Sequence, residues 1–291
     1  MKIFSKLLII LVIVLIVLKV LSLISLDNKN EEDALKEIKG ENMCLALNYH
    51  RVRPKTMWNR LVELTTRSKE LTTYNVYEDD FERQMTQLID AGVYFATPQD
   101  LVRFRETGNY PEKCVWISFD DVDKTVYDVA FPILKEKKIP FTLFVISGQV
   151  GSDNFNNLKM ATWDDLREMR DSGLASFGSH TNDMHYLEND KAVFFQSDKY
   201  DQFKKDINLS KKTIEKELGI SINSIAYPFG ESSKDITEIV KSQGFTEAYI
   251  LGPYPVDEYN DQYYQNRYLI SKKGFDSGVL PWINNKTKSR S

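Results

Sequence analysis

Two groups of polar residues in this chain have the side chains and the spacing of a hydrolytic metal site. Asp120 and Asp121 follow the apolar run 115–119, and His180 and His185 lie five positions apart in a chain with only three histidines. An apolar run of this length is typical of a buried strand. One aspartate with two histidines can hold a catalytic divalent metal and leave positions open for water. These residue types therefore indicate metal-assisted hydrolysis.

The adjacent aspartates are expected to have different roles. Successive side chains of a strand point to opposite faces. We therefore expect Asp121 to bind the metal and Asp120 to face the substrate as the general base. An acidic pair at a helix N-terminus is the alternative explanation, but it leaves the two histidines unexplained.

The two histidines cannot share one face of a helix. At about 100° per residue, a spacing of five positions places two side chains about 140° apart. They converge on one metal only if a strand end is followed by a turn, and Thr181-Asn182-Asp183 has turn-forming side chains. We therefore predict that a strand over 174–178 delivers His180 and that a turn brings His185 beside it. A surface loop with two unrelated histidines is the alternative.

Strand-like and helical patterns alternate around these residues, which predicts an α/β fold with a parallel sheet, open or closed into a barrel. In such folds the chemistry collects at the carboxyl ends of the strands. The candidate residues all lie at such ends, including His50 after the first strand and the turn after Tyr227. Residues 51–75 read as a long loop. The predicted strands are 43–49, 93–96, 114–119, 141–147, 174–178, 223–227, 245–250 and 267–271, with helices near 125–137 and 200–218 among those between them.

The chain begins with an apolar segment. Residues 7–18 are uninterrupted aliphatic and the pattern resumes over 20–26, which matches the roughly 20 apolar residues that cross a bilayer. Lys2 and Lys6 precede it, so the rest of the chain is expected outside the cytoplasm. A cleaved signal peptide is the alternative, although no small-x-small cleavage site follows. We expect 1–26 to be a transmembrane anchor or signal segment and 27–41 a polar tether, with the protein anchored at the membrane or secreted to the cell surface.

The net charge of the chain restricts the classes of binding partner. The chain has 38 basic and 42 acidic residues, and without residues 1–27 the counts are 35 and 41, a net charge of −6. This balance disfavours nucleic acid and anionic membrane surfaces as partners, whereas a polymer that is neutral or becomes cationic is compatible.

Cys44 and Cys114 are each the first residue or close to the first residue of a strand-like run. We expect two buried thiols rather than a disulfide, although an extracytoplasmic location would permit one.

Four short motifs together resemble those of the polysaccharide deacetylases, the NodB-homology family (carbohydrate esterase family 4). The similarity spans about residues 42–275. It implies a distorted (β/α) barrel, a single catalytic domain behind the N-terminal membrane segment, with 42–112 as its N-terminal part and 113–291 as the NodB-homology core. The motifs are Asn48-Tyr49-His50-Arg51-Val52, Ser118-Phe119-Asp120-Asp121, the pair His180 and His185, and Ala226-Tyr227-Pro228-Phe229-Gly230.

The resemblance implies hydrolysis of N-acetyl groups from an N-acetylglucosamine polymer. The N-terminal motif and the histidine spacing are similar to the branch that acts on poly-β-1,6-N-acetylglucosamine in biofilm matrices. A peptidoglycan or chitin-type deacetylase, or a non-catalytic glycan-binding module, remains an alternative. The metal is expected to be zinc. The implied roles are a metal site of Asp121, His180 and His185, a general base Asp120, a general acid His50, and substrate contacts from Phe229, Tyr227 and Trp163, with the backbone N–H of Phe229 facing the oxyanion.

Three features depart from the family pattern. Ala226 stands where an arginine is usual, so we expect the orienting contact to Asp120 to be missing. Val122 replaces the glycine that usually follows the aspartate pair, which is expected to alter the turn behind the metal. No histidine lies beyond His185, so the usual C-terminal acid is absent and His50 is the remaining histidine for that role.

Overall fold

The computed structural model describes residues 42–56, 74–271 and 274–286. The predicted segment 1–26, the tether 27–41 and most of the predicted loop 51–75 lie outside these ranges. Within them, no helix combines the length and the apolar character needed to cross a bilayer.

Strands and helices alternate along the described chain, as predicted. The strands are β1 Met43–Tyr49, β2 Arg51–Arg53, β3 Asn75–Tyr77, β4 Tyr94–Ala96, β5 Cys114–Asp121, β6 Phe141–Val145, β7 Ala175–Ser179, β8 Leu187–Glu188, β9 Lys191–Ala192, β10 Ser224–Ala226, β11 Glu247–Leu251, β12 Val256–Asp257 and β13 Gln265–Leu269. The α-helices are α1 Glu78–Asp90, α2 Pro98–Thr107, α3 Phe131–Lys137, α4 Trp163–Asp171, α5 Tyr200–Leu218, α6 Lys234–Ser242 and α7 Leu280–Lys286.

Seven parallel strands close into a barrel. Their order is β1-β13-β11-β10-β7-β6-β5, and β5 pairs back with β1. Every neighbouring pair in this ring is parallel. Outside the ring, β4 adds to β5 in parallel and β12 adds to β1 antiparallel. The parallel α/β architecture is therefore confirmed, and the sheet is closed.

The interior of the barrel is filled with side chains that alternate along each strand. On β5, the period of two places Trp116, Ser118 and Asp120 on one face. The Trp116 ring packs 4.7 Å from the Tyr249 ring and 6.1 Å from that of Phe144, measured between centroids. These rings form a floor below the carboxyl ends of the strands. Asp120 therefore sits at the top of a packed interior, not in an open pore.

Cys44 and Cys114 form a disulfide, which corrects the expectation of two separate thiols. They are the facing residues of β1 and β5, with Cα atoms 4.5 Å apart, and both are fully buried. The sequence placed both cysteines near the starts of strands but did not show that these two strands are neighbours. The bridge links the pair of strands that closes the barrel.

Most predicted elements are present, with small shifts at their ends. The helix over 200–218 is α5 without change. The predicted helix near 125–137 has a π-helical first turn, Val126–Ala130, before α3 begins. The predicted loop after β1 contains β2 and β3, which pair with each other in parallel. The short pair β8 and β9, β12 and the C-terminal helical segment after residue 274 were not predicted.

Candidate active site

Most of the residues that were predicted to carry the chemistry line one cavity of about 80 Å³ at the carboxyl ends of the barrel strands. Residues at the end of β5 and residues that follow β1, β7 and β10 meet there, as parallel strands in a closed barrel require. The lining residues are His50, Arg51, Tyr74, Asp120, Asp121, His180, His185, Phe229, Gly230 and Leu251.

Asp121, His180 and His185 converge on one point. The Nε2 atoms of His180 and His185 lie 3.6 Å and 3.5 Å from Oδ1 of Asp121. One ligand atom from each residue lies within 4.8 Å of the others. The Asp121 Oδ1 atom is buried and accepts no hydrogen bond from the residues that the structure describes. A buried carboxylate oxygen that faces two imidazole nitrogens is a suitable place for a cation, so the residues fit a divalent metal.

Hydrogen bonding sets the tautomer of His180. Its Nδ1 lies 2.8 Å from the carbonyl oxygen of Ala226, and because a carbonyl only accepts, Nδ1 carries the proton. The lone pair of Nε2 is then directed at the Asp121 side. Burial lowers the pKa of His180 to about 4, so the ring is neutral at pH 7. The backbone of Ala226 thus orients a candidate metal ligand, which is a common arrangement around metal-binding histidines.

Both aspartates line the cavity, which corrects the expectation that they face different directions. The chain leaves the extended conformation at the end of β5, because Asp121 and Val122 both have a φ of 65°. The N–H of Val122 donates to the carbonyl of Asp120 over 2.7 Å. Val122 therefore adopts a backbone conformation that favours glycine and is unusual for a β-branched residue. The tight turn is formed even though the usual glycine is absent.

Asp120 has an orienting partner, contrary to the expectation drawn from Ala226. The guanidinium of Arg267 donates to both carboxylate oxygens, over 2.5 Å to Oδ1 and 2.9 Å to Oδ2. Arg267 is fully buried and lies over the Phe144 ring at 4.9 Å. Burial alone would raise the pKa of Asp120, but the charge of Arg267 and its two hydrogen bonds outweigh burial and hold this pKa well below its usual range. An arginine on β13 thus makes the contact that was expected to be missing.

Arg267 was not predicted from the sequence, although a signal was present. It lies in the predicted last strand and is the only charged residue among 262–271, and a charge inside a barrel strand needs a partner. Its partner could not be named, because the order of the strands was unknown. Arg51 was missed in the same way, and its guanidinium lies 3.7 Å from Asp121 Oδ2.

His50 lies beside the two aspartates at the cavity wall. Its side chain follows β1, the residue is 9% exposed, and its ring packs 4.7 Å from that of Tyr74. The pKa of His50 lies below its usual value, because burial penalises the charged ring more than the nearby carboxylate of Asp121 favours it. The structure therefore brings the third histidine of the chain into the same cavity as the other two.

Of the three residues expected to contact substrate, one lines the cavity. Phe229 is 38% exposed and its ring lies 4.7 Å from that of His185. Tyr227 is fully buried, with its hydroxyl 3.4 Å from Thr237 Oγ1. Trp163 is the first residue of α4 and packs against the core. Neither Tyr227 nor Trp163 is among the cavity-lining residues, so these two are not positioned to stack on a sugar in the cavity.

Comparisons with known proteins agree with this geometry. The family model described as polysaccharide deacetylase matches residues 107–248. The chain is 37% identical over 254 residues to the poly-β-1,6-N-acetyl-D-glucosamine N-deacetylase of Staphylococcus aureus (strain MRSA252), and the match covers 87% of each protein. It is 36% identical, with the same coverage, to the enzyme of that name from Staphylococcus epidermidis.

The structure is also similar to that of IcaB from Ammonifex degensii. The TM-score is 0.70 at 29% sequence identity, and the match covers 84% of this chain and 98% of the other. The similarity thus extends over most of both chains. The chain belongs to the polysaccharide deacetylase family.

Proposed function

We propose that this protein hydrolyses the N-acetyl groups of poly-β-1,6-N-acetyl-D-glucosamine and releases acetate. The observation that carries the proposal is the convergence of an Asp-His-His cluster with Asp120 and His50 in one cavity. Identity of 37% over most of the chain to relatives named for this reaction supports the choice of polymer.

Asp121, His180 and His185 are the proposed metal ligands, and we propose zinc as the metal. The neutral state of His180 and the unpaired Asp121 Oδ1 favour this assignment. Nitrogen and oxygen ligands in this number suit zinc with an open coordination position. When bound, the metal would supply Lewis-acid chemistry, by making water more acidic and by polarising the amide carbonyl.

Asp120 is the proposed general base, which takes a proton from the attacking water. Arg267 holds both carboxylate oxygens, so the acceptor has a fixed position at the start of the reaction. The same contact lowers the basicity of Asp120. What Arg267 contributes is therefore orientation, because a well-placed acceptor accelerates proton transfer even when its basicity is modest.

His50 is the proposed general acid, which protonates the amine nitrogen as the carbon–nitrogen bond breaks. Its lowered pKa makes the imidazolium a stronger acid, although a smaller fraction of it carries the proton at neutral pH. The backbone N–H of Phe229, at the edge of the cavity, is the proposed donor to the oxyanion. Water adds to the carbonyl, so the products are acetate and a glucosamine unit.

The proposal includes the organisation of the chain. We propose that residues 42–112 and 113–291 form one catalytic domain outside the cytoplasm, held at the membrane through 1–26. The buried Cys44–Cys114 disulfide supports a location outside the reducing cytoplasm. The net charge of −6 beyond residue 27 is compatible with a polymer that becomes cationic as it is deacetylated.

Acetate release by the purified full-length chain with Zn²⁺ tests the proposal. The substrates are β-1,6- and β-1,4-linked N-acetylglucosamine oligomers, and Asp120→Asn is the control. We expect release from the β-1,6 oligomers and its loss in the variant. Release from β-1,4 oligomers alone would keep the reaction but replace the polymer. A chain that binds Zn²⁺ and releases no acetate from either would contradict the enzymatic function.

A further inference from the structure

The turn between His180 and His185 is held from outside by two neighbouring elements. On one side lies α5, and on the other lies the short turn Ser147–Gln149 that follows β6. Thr181, in the turn itself, has a φ of 74°. A residue other than glycine keeps this left-handed conformation only where the surrounding structure enforces it. The position of His185 relative to His180 therefore depends on these outside contacts.

Asp206, on α5, makes the most direct of these contacts. Its Oδ2 accepts a hydrogen bond from the N–H of Asn182 over 2.6 Å, and its Oδ1 accepts one from the N–H of Asp183 over 2.8 Å. One carboxylate thus binds two consecutive backbone donors. Asp206 is 9% exposed, so these bonds are largely shielded from water and are strong for that reason.

Two backbone carbonyls of the turn also have partners. The Thr181 carbonyl accepts from the N–H of Ser147 over 3.2 Å and from the Ser210 hydroxyl over 3.1 Å. The Asn182 carbonyl accepts from the N–H of Gly148 over 2.9 Å. The turn is therefore fixed on both sides, and the contact from α5 carries the negative charge of Asp206.

We propose that Asp206 is a positioning residue for the metal site, which sets the placement of His185 relative to His180. The proposal rests on the metal-dependent function proposed above. Among the described residues, no hydrogen bond or ion pair joins Asp206 to either histidine, and it acts through the backbone of Asn182 and Asp183. Groups that hydrogen-bond directly to metal ligands typically change metal affinity about 10- to 100-fold when they are lost. We expect an effect of the same size from Asp206, because it fixes the segment that carries His185.

The chemical identity of residue 206 supports the proposal. Burial raises the pKa of Asp206 to about 6, and the two backbone N–H groups oppose this shift without cancelling it. Holding a charge here is therefore unfavourable, so its presence is not explained by stability alone. An asparagine would avoid the charge, but its amide NH₂ would face one of the two N–H donors. Only a carboxylate offers two acceptors in this geometry.

The test measures metal binding without any substrate. The metal-free full-length chain is titrated with Zn²⁺ against a chromophoric chelator, and the visible spectrum is recorded with Co²⁺ in its place. We expect Asp206→Asn to bind Zn²⁺ about 10- to 100-fold more weakly and to show an altered Co²⁺ spectrum. Asp201→Asn is the matched control, because Asp201 lies on the same helix and is exposed. It should bind both ions as the wild type does.

Three outcomes distinguish a failure of the positioning role of Asp206 from a failure of the proposed function. A folded Asp206→Asn chain with wild-type Zn²⁺ affinity and Co²⁺ spectrum would overturn the positioning role, even if its melting temperature falls. If that variant does not fold, Asp206→Ser removes the buried charge and keeps one acceptor, and wild-type affinity in it would overturn the role equally. If the wild-type chain itself binds no Zn²⁺, the proposed function fails first, and the role of Asp206 fails with it.

Discussion

At the scale of the residue, two arginine–carboxylate pairs have the same bidentate geometry and different surroundings. Arg267 donates to the two oxygens of Asp120 over 2.5 Å and 2.9 Å in the cavity. Arg105 donates to the two oxygens of Glu247 over 2.6 Å and 2.8 Å. Glu247 is the first residue of β11, at the opposite end of the barrel from the cavity. Both pairs should contribute to the free energy of unfolding, but only the first should contribute to catalysis.

This comparison gives a prediction for Arg267→Lys. Lysine keeps the charge beside Asp120 but cannot donate to both oxygens at once. We expect kcat to fall about 10- to 100-fold with little change in KM, because the base loses its fixed orientation. Arg105→Lys, the control variant, should lower the melting temperature and leave kcat unchanged. Equal kcat losses in the two variants would show that the effect is general to bidentate arginine–carboxylate pairs and does not depend on the contact with Asp120.

A second prediction at this scale concerns pH and the metal-free protein. The pKa of His180 is about 4 when folded and near 6.5 when unfolded. The unfolded state therefore binds more protons between these values, and the free energy of unfolding falls as the pH drops from 6.5 to 4, by about 3 kcal/mol in total. The raised pKa of Asp206 acts in the opposite direction between about 4 and 6.

The measurement for that prediction is urea unfolding across this pH range for the metal-free wild type and for His180→Asn. The difference between the two curves removes the contribution of Asp206, which both proteins share. We expect the free energy of unfolding of the wild type to fall more steeply towards acid, and the difference in slope to correspond to the binding of about one additional proton on unfolding. Parallel curves would mean that His180 is not neutral in the folded protein.

At the scale of the element, the sequence predicted what each strand end carries but not which strands are neighbours. The apolar runs before Asp120 and His180 identified their strands, since a barrel strand is buried on both faces. The pairing of β1 with β5 and the position of β13 depend on contacts between residues that are far apart in the sequence. The disulfide and the role of Arg267 follow from those pairings, so both were missed.

The sequence predicted where the chain turns, but it did not predict the backbone conformation of those turns. Turn-forming residues between His180 and His185 indicated that the chain reverses there, and the two rings do lie 4.7 Å apart. Nothing in the sequence showed that Asp121 and Val122 both leave the extended conformation. Strand alternation alone therefore assigned the two carboxylates to different faces. Tyr227 was similarly misjudged, because the depth of its side chain depends on α6, which packs over it through Thr237.

The turn after β6 leads to a prediction for Gly148→Ala. A Cβ atom at residue 148 would lie 2.6 Å from the carbonyl oxygen of Asn182, which is backbone and has little freedom to move. We expect a loss of about 1–3 kcal/mol in the free energy of unfolding and weaker Zn²⁺ binding, since the turn between the histidines must shift. Gly274→Ala is the control, because its Cβ would meet only side-chain atoms at 3.2 Å or more. Unchanged Zn²⁺ binding in Gly148→Ala would show that the turn tolerates displacement.

At the scale of the whole molecule, the stabilising disulfide and the candidate active site lie at opposite ends of the barrel. The Cys44–Cys114 disulfide joins the second residue of β1 to the first residue of β5, whereas Asp120 and His50 lie at or just beyond the other ends of the same strands. Closing a long loop costs conformational entropy. The disulfide closes such a loop, because its two cysteines have a sequence separation of 70.

This arrangement predicts that Cys44→Ala/Cys114→Ala lowers stability without changing the chemistry. For a closed loop of 70 residues, the chain-entropy model gives a loss of about 4 kcal/mol, which corresponds to roughly 10 °C in melting temperature for a domain of this size. We expect kcat at 20 °C to stay at the wild-type value, because the floor of aromatic rings separates the bridge from the cavity. Thermal unfolding with and without a reductant, alongside acetate release, checks both parts. The wild type should lose stability in the reductant while the double variant, which has no disulfide to reduce, should not respond. A fall in kcat at a temperature where the double variant is fully folded would mean that the two ends of the barrel are coupled.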